Sequence, residues 1–325
     1  MDEAKLDLKD RKILKELDIN ARQKFQDIAR KLKTSKEVIF YRVKNLEKSG
    51  IIKGYYTTID FSKLGFKNIR VYLKMQKLSP QKNKEIIDFL VNHKNTFEVI
   101  TAYGNWDIVF TVLVKELKDF FDIWDKFQGL YKLYIHEKNI SLFYEYVHYR
   151  KNYILPNYSE TLTGDITGGS KAGDVDKTDL KIINYIAPNA RISFNSLSPL
   201  VGISAKAVKY RIKNLEKKGV ILNYRPIIDM KKFGYQFYKI DIELEDLSVK
   251  KGLQQFAKNH PNVVAEDRVI GGGSDFEFDC EFESMTEFLK LIEQIQKEFS
   301  TAIRTIKYYT ATEFHKILYT PKVLE

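Results

Sequence analysis

The feature that most limits what this chain can fold into is that it is written twice. A shift of 169 residues lines up its two halves without a gap over about sixty positions. Asp10 falls on Asp179, Ile13 on Ile182, Asn20-Ala21-Arg22 on Asn189-Ala190-Arg191, and Ser35 on Ser204. Tyr41-Arg42 meets Tyr210-Arg211, Asn45-Leu46-Glu47-Lys48 meets Asn214-Leu215-Glu216-Lys217, and Gly50 meets Gly219. Later parts repeat more loosely, Asn92-His93 with Asn259-His260 and Gly104-Asn105-Trp106-Asp107 with Gly272-Gly273-Ser274-Asp275. Chance does not give this many ungapped identities, so the fold must be one two-domain unit built twice. A length of 325 residues fits that division.

The first sixty residues of each copy read as three short helices and a strand pair. Leu14 and Leu17 continue from Ile13 at helical spacing, and Phe25, Ile28, Ala29 and Leu32 make a short second helix. Ser35 is a good N-cap for a third helix whose apolar positions Ile39, Val43 and Leu46 form one stripe. Gly50 ends it as a left-handed C-cap residue, and Ile51 to Ile59 alternates like a hairpin wing. This is the pattern of a winged helix-turn-helix. The period then changes. Residues 69–75, 97–103, 108–114 and 132–147 read as strands, and 81–92 and 116–128 as helices, an order of β-α-β-β-α-β. Copy two repeats it with strands at 237–245, 262–270, 276–283 and 302–313 and helices at 248–259 and 285–298. The expected fold class is therefore α+β, with two winged helix-turn-helix domains (1–62 and 176–231) and two ferredoxin-like domains (63–156 and 232–325). Between them residues 157–175, rich in Gly, Ser and Thr, read as a linker or long loop.

Composition sharpens the reading through placement. The formal net charge is +11, from 54 Lys and Arg against 43 Asp and Glu. Residues 1–60 carry +5 and residues 174–229 another +5, so nearly the whole excess lies on the two helix-turn-helix domains. Charge kept for solubility would be spread; charge placed this way favours phosphate binding with counterion release. On the third helix, with the apolar stripe buried, Glu37, Phe40, Tyr41, Lys44 and Asn45 face outward. In copy two the outward positions are Lys206, Lys209, Tyr210, Lys213 and Asn214. Lys, Tyr and Asn suit phosphate and base-edge contacts in a major groove. Ser35-Lys36 and Ser204-Ala205 start these helices, where backbone N–H groups favour a phosphate. Arg42 and Arg211 lie at the edge of the face, to contact phosphate or to brace the domain. The expected DNA-binding set is Ser35, Lys36, Tyr41, Arg42, Lys44, Asn45, Ser204, Lys206, Lys209, Tyr210, Arg211, Lys213 and Asn214. Replacement of Glu37 by Lys206 and of Phe40 by Lys209 makes copy two the stronger expected reader.

The start Leu8-Lys-Asp-Arg-Lys-Ile-Leu14, the Asn20-Ala-Arg22 turn and the run from Tyr41 to Ile52, each with its copy, resemble the Lrp/AsnC family, also called feast/famine regulators. The resemblance covers nearly the whole chain and implies an N-terminal domain that binds double-stranded DNA. It also implies an α+β domain of the RAM type that pairs with another copy and, in many members, binds an amino acid. A usual member is about half this length, so this chain is expected to be a built-in dimer that associates further through its α+β domains. The implied effector site is the turn between the second and third α+β strands, here Gly104 and Asp107 in copy one and Gly271, Gly272, Gly273, Ser274 and Asp275 in copy two. Glycine there admits a carboxylate to the backbone N–H groups and Asp could hold an amino group, although a tight hairpin needs the same glycines. Trp106 would fill the copy-one site, whereas Ser274 would leave copy two open.

Other chemistry finds little support. The lone Cys280 excludes an intramolecular disulfide and any multi-cysteine metal site. His93, His136, His148, His260 and His315 show no close metal-ligand spacing, and His93 and His260 sit at helix ends where a cation would suit the dipole. No nucleophile motif, P-loop or HExxH is present, so neither catalysis nor a cofactor is expected. The alternative is a tetrapyrrole enzyme, because siroheme decarboxylases resemble the same family. There a His and an Arg would hold a tetrapyrrole carboxylate, and His148-Tyr149-Arg150 is the local candidate, with Phe314-His315-Lys316 at the matching place in copy two. With no apolar run of ~18 residues and no signal-like start, the expected location is the cytoplasm.

Overall fold

The computed structural model describes residues 6–156 and 164–321. Copy one runs α1 (Leu8–Ile19), α2 (Phe25–Lys31), α3 (Lys36–Lys48), β1 (Ile52–Ile59), β2 (Lys67–Met75), α4 (Pro80–Asn92), β3 (Thr96–Gly104), β4 (Ile108–Val114), α5 (Leu117–Tyr131) and β5 (Ile135–His148). A short strand, β6 (Asp165–Gly168), lies in the joint. Copy two runs α6 (Lys177–Ile186), α7 (Phe194–Val201), α8 (Ala205–Lys217), β7 (Ile221–Ile228), α9 (Met230–Phe233), β8 (Gln236–Leu244), α10 (Lys250–Asn259), β9 (Val263–Gly271), β10 (Phe276–Phe282), α11 (Met285–Phe299) and β11 (Ile303–Ile317). No helix among the described residues is long and apolar enough to cross a membrane.

Local signals explain where the reader helices begin. Asp7 and Asp10 form a reciprocal capping box at the start of α1, and Asp176 and Asp179 repeat it on α6. The Ser35 and Ser204 side chains cap α3 and α8 by accepting from the Val38 and Ala207 N–H groups. Ile39, Val43 and Leu46 are buried as the stripe requires, as are Val208, Ile212 and Leu215.

The wing departs from expectation. Residues 52–59 form one strand, β1, and its partner is not local but β7 of the other copy, antiparallel, with Tyr55 opposite Pro226 and Thr57 opposite Tyr224. The run holds no two-residue turn, and Gly54 does not adopt the positive φ that a tight hairpin needs. The sister copy supplies a strand of equal length, and each strand satisfies the other. A lone two-stranded sheet is marginal in water, but here it lies inside a common core. One apolar cluster takes Ile13, Leu17 and Ile39 from the first copy and Ile182, Ile186 and Val208 from the second. The two helix-turn-helix domains are one body.

The α+β parts pair in a second way. Their strand orders are β5-β2-β4-β3 and β11-β8-β10-β9, and the sheets join where β3 meets β11 and β9 meets β5. Strands β5 and β11 are long enough to bond their own sheet with one half and the sister sheet with the other. The eight strands thus close into an antiparallel barrel in which each has two partners, which removes exposed edges. Strand β6 adds to the end of β5. Outside the barrel, α4, α5, α10 and α11 cover residues such as Val71, Phe110, Ile240 and Phe278.

Alternate residues point into the lumen, which is charged. The Arg70 guanidinium donates to Asp267 at 2.6 Å, and the Lys239 ammonium lies among Asp267, Glu277 (3.3 Å) and Asp279 (3.2 Å). Tyr72 and Tyr146 donate to Glu277 and Asp279 at 3.0 and 2.9 Å. Burial, with Glu277 nearby, pushes the Asp241 carboxyl up to about 8, and burial also raises Glu98 and Asp279. An apolar cluster of Tyr72, Ile100, Trp106, Val109 and Tyr309 fills the rest.

Candidate nucleic-acid interface

Helices α3 and α8 present their outer faces to solvent. Lys36, Lys44 and Asn45 are exposed on α3, and Lys206, Lys209 and Lys213 on α8, while Asn214 is half-buried. Tyr41 and Tyr210, at equivalent places, are both 67% exposed, a large fraction for an aromatic side chain without a partner. Ser35 and Ser204 spend their hydroxyls on capping, so what they offer a phosphate is the helix end they hold in place. Arg42 lies between Asp7 (2.7 Å) and Asp10 (2.8 Å), and Arg211 between Asp176 (2.7 Å) and Asp179 (2.8 Å). Of the two roles considered for these arginines, that geometry supports bracing: each ties its reader helix to the capping box of the first helix.

The faces differ in free charge. On α3 Lys44 pairs with Glu47 at 2.7 Å, and Glu37, Val38 and Phe40 share the surface. A cleft of about 680 Å³ runs beside it, lined by Leu6, Glu37, Val38, Tyr41 and Asn45 among others. Among the described residues Lys206, Lys209 and Lys213 of α8 enter no ion pair, so all three ammonium groups are available to an anion.

The spacing of the readers is set by a reciprocal clamp. Arg22 donates to the Ala190 and Ile192 carbonyls, the latter at 3.0 Å, and its guanidinium lies 4.7 Å from the Phe194 ring centre. Arg191 donates to the Ala21 carbonyl at 2.6 Å and lies 4.3 Å from Phe25. The Ala21 and Ala190 N–H groups donate to Tyr224 and Tyr55 carbonyls at 2.7 and 2.9 Å. The repeated Asn-Ala-Arg motif is thus the joint between readers. Sequence reasoning noticed the motif as a turn and missed its role; its exact repetition was the available signal.

At the expected effector turns, Asp107 accepts from the Met75 N–H and from Lys74, at 2.8 and 2.9 Å, and Asp275 accepts from the Leu244 N–H at 2.8 Å. Gly104, Gly271, Gly272 and Gly273 all have positive φ, as the hairpin reading requires. Trp106 is buried in the lumen against Tyr72. Gly272, Gly273 and Ser274 border a cavity of about 20 Å³ together with Trp106 and Asp241, space for about one water. Buried Trp106 Nε1 and Asp241 Oδ1, both without a protein partner, line that cavity.

The histidines correct an expectation. His93 and His260 do sit at the C-caps of α4 and α10, but as neutral acceptors rather than cations. Their Nδ1 atoms accept from Asn95 and Asn262 N–H groups at 3.2 Å. Burial lowers both, His260 to about 4, and Lys316 adds to the effect on His93. The cation near the end of α4 is Lys316, which donates to the Val91 and His93 carbonyls at 2.8 and 2.9 Å. His148 is half-buried, with its ring 3.2 Å from the Thr167 hydroxyl of β6, and desolvation with Arg225 and Arg150 nearby holds it well below its ordinary value. His315 meets Thr101 at 3.1 Å.

A winged helix-turn-helix DNA-binding family matches the chain twice, at residues 6–53 and 175–221. The HTH-type transcriptional regulator YezC of Bacillus subtilis is 34% identical over 97 residues, 30% of this chain and 68% of YezC. Ptr1 of Methanocaldococcus jannaschii, also an HTH-type transcriptional regulator, is 33% identical over 116 residues, 35% of this chain and 75% of Ptr1. The leucine-responsive regulatory protein of Rhizobium meliloti is 29% identical over 118 residues, 35% of this chain and 75% of that protein. This chain belongs to the Lrp/AsnC family. Each of these relatives matches about a third of it, as a tandem Lrp/AsnC protein requires.

Over its whole length, this Lrp/AsnC protein shares its fold with an enzyme. The siroheme decarboxylase NirDL superimposes with a TM-score of 0.64 at 12% identity, over 95% of this chain and 93% of that one. Its complex with an iron-uroporphyrin III analogue gives 0.65, over 97% and 96%. The expectation that the chain is not an enzyme is corrected by this match. It was drawn from missing sequence motifs, and a tandem Lrp/AsnC architecture is one that an enzyme uses.

Proposed function

We propose that the chain is a sequence-specific DNA-binding transcription regulator in which the two copies act as a covalent pseudo-dimer. The observation that carries this is the pair of reader helices, each with an exposed tyrosine at the same place, built into one body by paired strands and reciprocal arginines. Helix α8, with three lysines free of ion pairs, is the stronger reader, and the two half-sites differ in sequence. Two pairs of exposed apolar side chains at equivalent helix starts, Leu117 with Phe121 and Met285 with Leu289, favour further association through the α+β domains. An amino-acid effector at Gly271–Asp275 would need that turn to open beyond its present cavity.

Gel shift on the chain's own promoter region at two salt concentrations tests the reading. Binding that weakens steeply with salt is expected, and Lys206→Glu should weaken it more than Lys36→Glu. Equal losses would remove the assignment of α8, and absence of any shift would remove the regulator. The second reading, a tetrapyrrole enzyme, rests on the full-length likeness to NirDL and on His148 beside Arg150. Tetrapyrrole absorption changes on titration, without any DNA shift, would select it.

A further inference from the structure

The two reader faces share a frame and differ in a few side chains. Tyr41, Lys44, Asn45 and Lys48 of α3 recur as Tyr210, Lys213, Asn214 and Lys217 of α8. Glu37, Val38 and Phe40 are replaced there by Lys206, Ala207 and Lys209. Phe40 is turned toward α2, its ring centre 6.1 Å from that of Phe25, and so serves packing. What remains distinctive at the centre of the α3 face is Glu37, one turn ahead of Tyr41 and two ahead of Lys44. It is exposed and, among the described residues, enters no ion pair and no side-chain hydrogen bond. Two cations of its own helix are committed elsewhere, Arg42 to Asp7 and Asp10 and Lys44 to Glu47. Glu37, Tyr41 and Asn45 border the open cleft beside α3.

An unpaired carboxylate is an odd group to carry into a DNA groove, because the phosphates of both strands repel it. A first-turn acid also suits the helix dipole, but that end needs no place on the reading face. On this face the charge penalises every base sequence except one that offers it a hydrogen-bond donor, and a penalty of this kind is a source of specificity. In the major groove the donors are the exocyclic amino groups of cytosine and adenine. Adenine sets an acceptor, N7, beside its amino group, and a carboxylate, which only accepts, is repelled there. Cytosine N4 has no such neighbour on its own base and is the better partner. On α8 the same position holds Lys206, flanked by Lys209 and Lys213, and none of the three enters an ion pair among the described residues. Ammonium groups on flexible stems find phosphates at any sequence.

We propose that Glu37 makes α3 the reader that sets sequence preference, by accepting a hydrogen bond from a cytosine amino group, while the lysines of α8 hold the other half-site mainly through its phosphates. This division of labour rests on the regulator reading, and it gives discrimination to the helix that binds less strongly.

Selection from a pool of random duplex DNA, made with the full chain, tests the assignment. The wild type should enrich one sharply defined half-site with a fixed cytosine and one loosely defined half-site. Changing that cytosine should cost about tenfold in affinity. Glu37→Gln should move the preference at that position from cytosine to adenine, since a carboxamide donates to N7 while accepting from the amino group. Glu37→Lys should abolish the preference, bind unrelated duplexes several-fold more tightly, and steepen log affinity against log salt by ~1. Glu37 is exposed and pairs with nothing among the described residues, so neither variant disturbs the fold. Lys206→Ala combined with Lys209→Ala should weaken binding and leave the selected bases as they were. The same bases selected by wild type and Glu37→Gln, or bases that change with the α8 double variant instead, would overturn the role of Glu37 and leave the regulator standing. No enrichment by any variant, with no salt-dependent binding, would overturn the regulator and the role of Glu37 with it.

Discussion

Replacing Arg22 with alanine isolates the joint between the readers from everything else in the chain. Its guanidinium makes two hydrogen bonds to carbonyls of the other copy and lies over Phe194 and Tyr224, whereas Arg191 makes one and lies over Phe25 and Tyr55. A hydrogen bond from a charged donor contributes about 1.5 kcal/mol at the low end, and a partly exposed cation–π contact about 0.5–1 kcal/mol. Arg22→Ala should therefore cost about 4–5 kcal/mol and Arg191→Ala about 2.5–3.5 kcal/mol. Urea unfolding followed by far-ultraviolet circular dichroism would separate losses this far apart, with Arg22→Lys as a third measurement. Lysine keeps the charge but cannot span two carbonyls, so it should recover less than half of the loss. Equal losses for the two alanine variants, or a lysine variant as stable as wild type, would refute the clamp. Loss of DNA binding at unchanged stability would show instead that Arg22 reads DNA.

Three more expectations follow from particular residues. Asp241 has a folded value of about 8 against an ordinary 3.8, so its neutral form stabilises the fold at low pH and that contribution is lost as pH rises from about 4 to about 8. Asp241→Asn should flatten the fall in melting temperature over this range and raise stability at pH 9; an unchanged slope would move the titration to another group. Gly202, with φ of 78°, turns α7 into α8, and a Cβ there meets nothing, whereas copy one uses Lys33 at φ of 50° for the same turn. Gly202→Ala should then cost only the backbone strain, about 1 kcal/mol by urea midpoint, and Lys33→Gly should gain a similar fraction. Finally, changing Lys206, Lys209 and Lys213 together to alanine should lower the slope of log affinity against log salt by ~2–3.

What sequence could show was whatever depends on neighbours along the chain. The stripe of Ile39, Val43 and Leu46, the caps at Ser35 and Ser204, and the β-α-β-β-α-β order all follow from local spacing, and all are present. The wing was misread because alternation in Ile52–Ile59 is the same whether its partner is two residues away or 169. The lumen was missed for a related reason. Glu277-Phe-Asp-Cys-Glu281 reads as a half-solvated strand, yet its polar face is buried because the sister sheet closes over it. Of the candidate site, the exposed faces were legible and their commitments were not. Neither the pairing of Arg42 with Asp7 and Asp10 nor that of Arg150 with Asp165 leaves a mark in local spacing.

The barrel also says something about symmetry. Its two cations, Arg70 and Lys239, sit at the same place in the repeat, but their surroundings do not match. Where copy two has Asp241, Asp267, Glu277 and Asp279, copy one has Tyr72, Ile100, Val109 and Thr111. In an assembly of identical chains every side chain is used twice, so two second copies would enclose eight such carboxyl groups around only two lysines. Joining the copies in one chain lifted that restriction and let one half become acidic because the other stayed apolar. That surplus of buried carboxylates would oppose self-association of the second half through this barrel. Expressed alone it should remain unpaired, and it should close a barrel only when the first half is supplied.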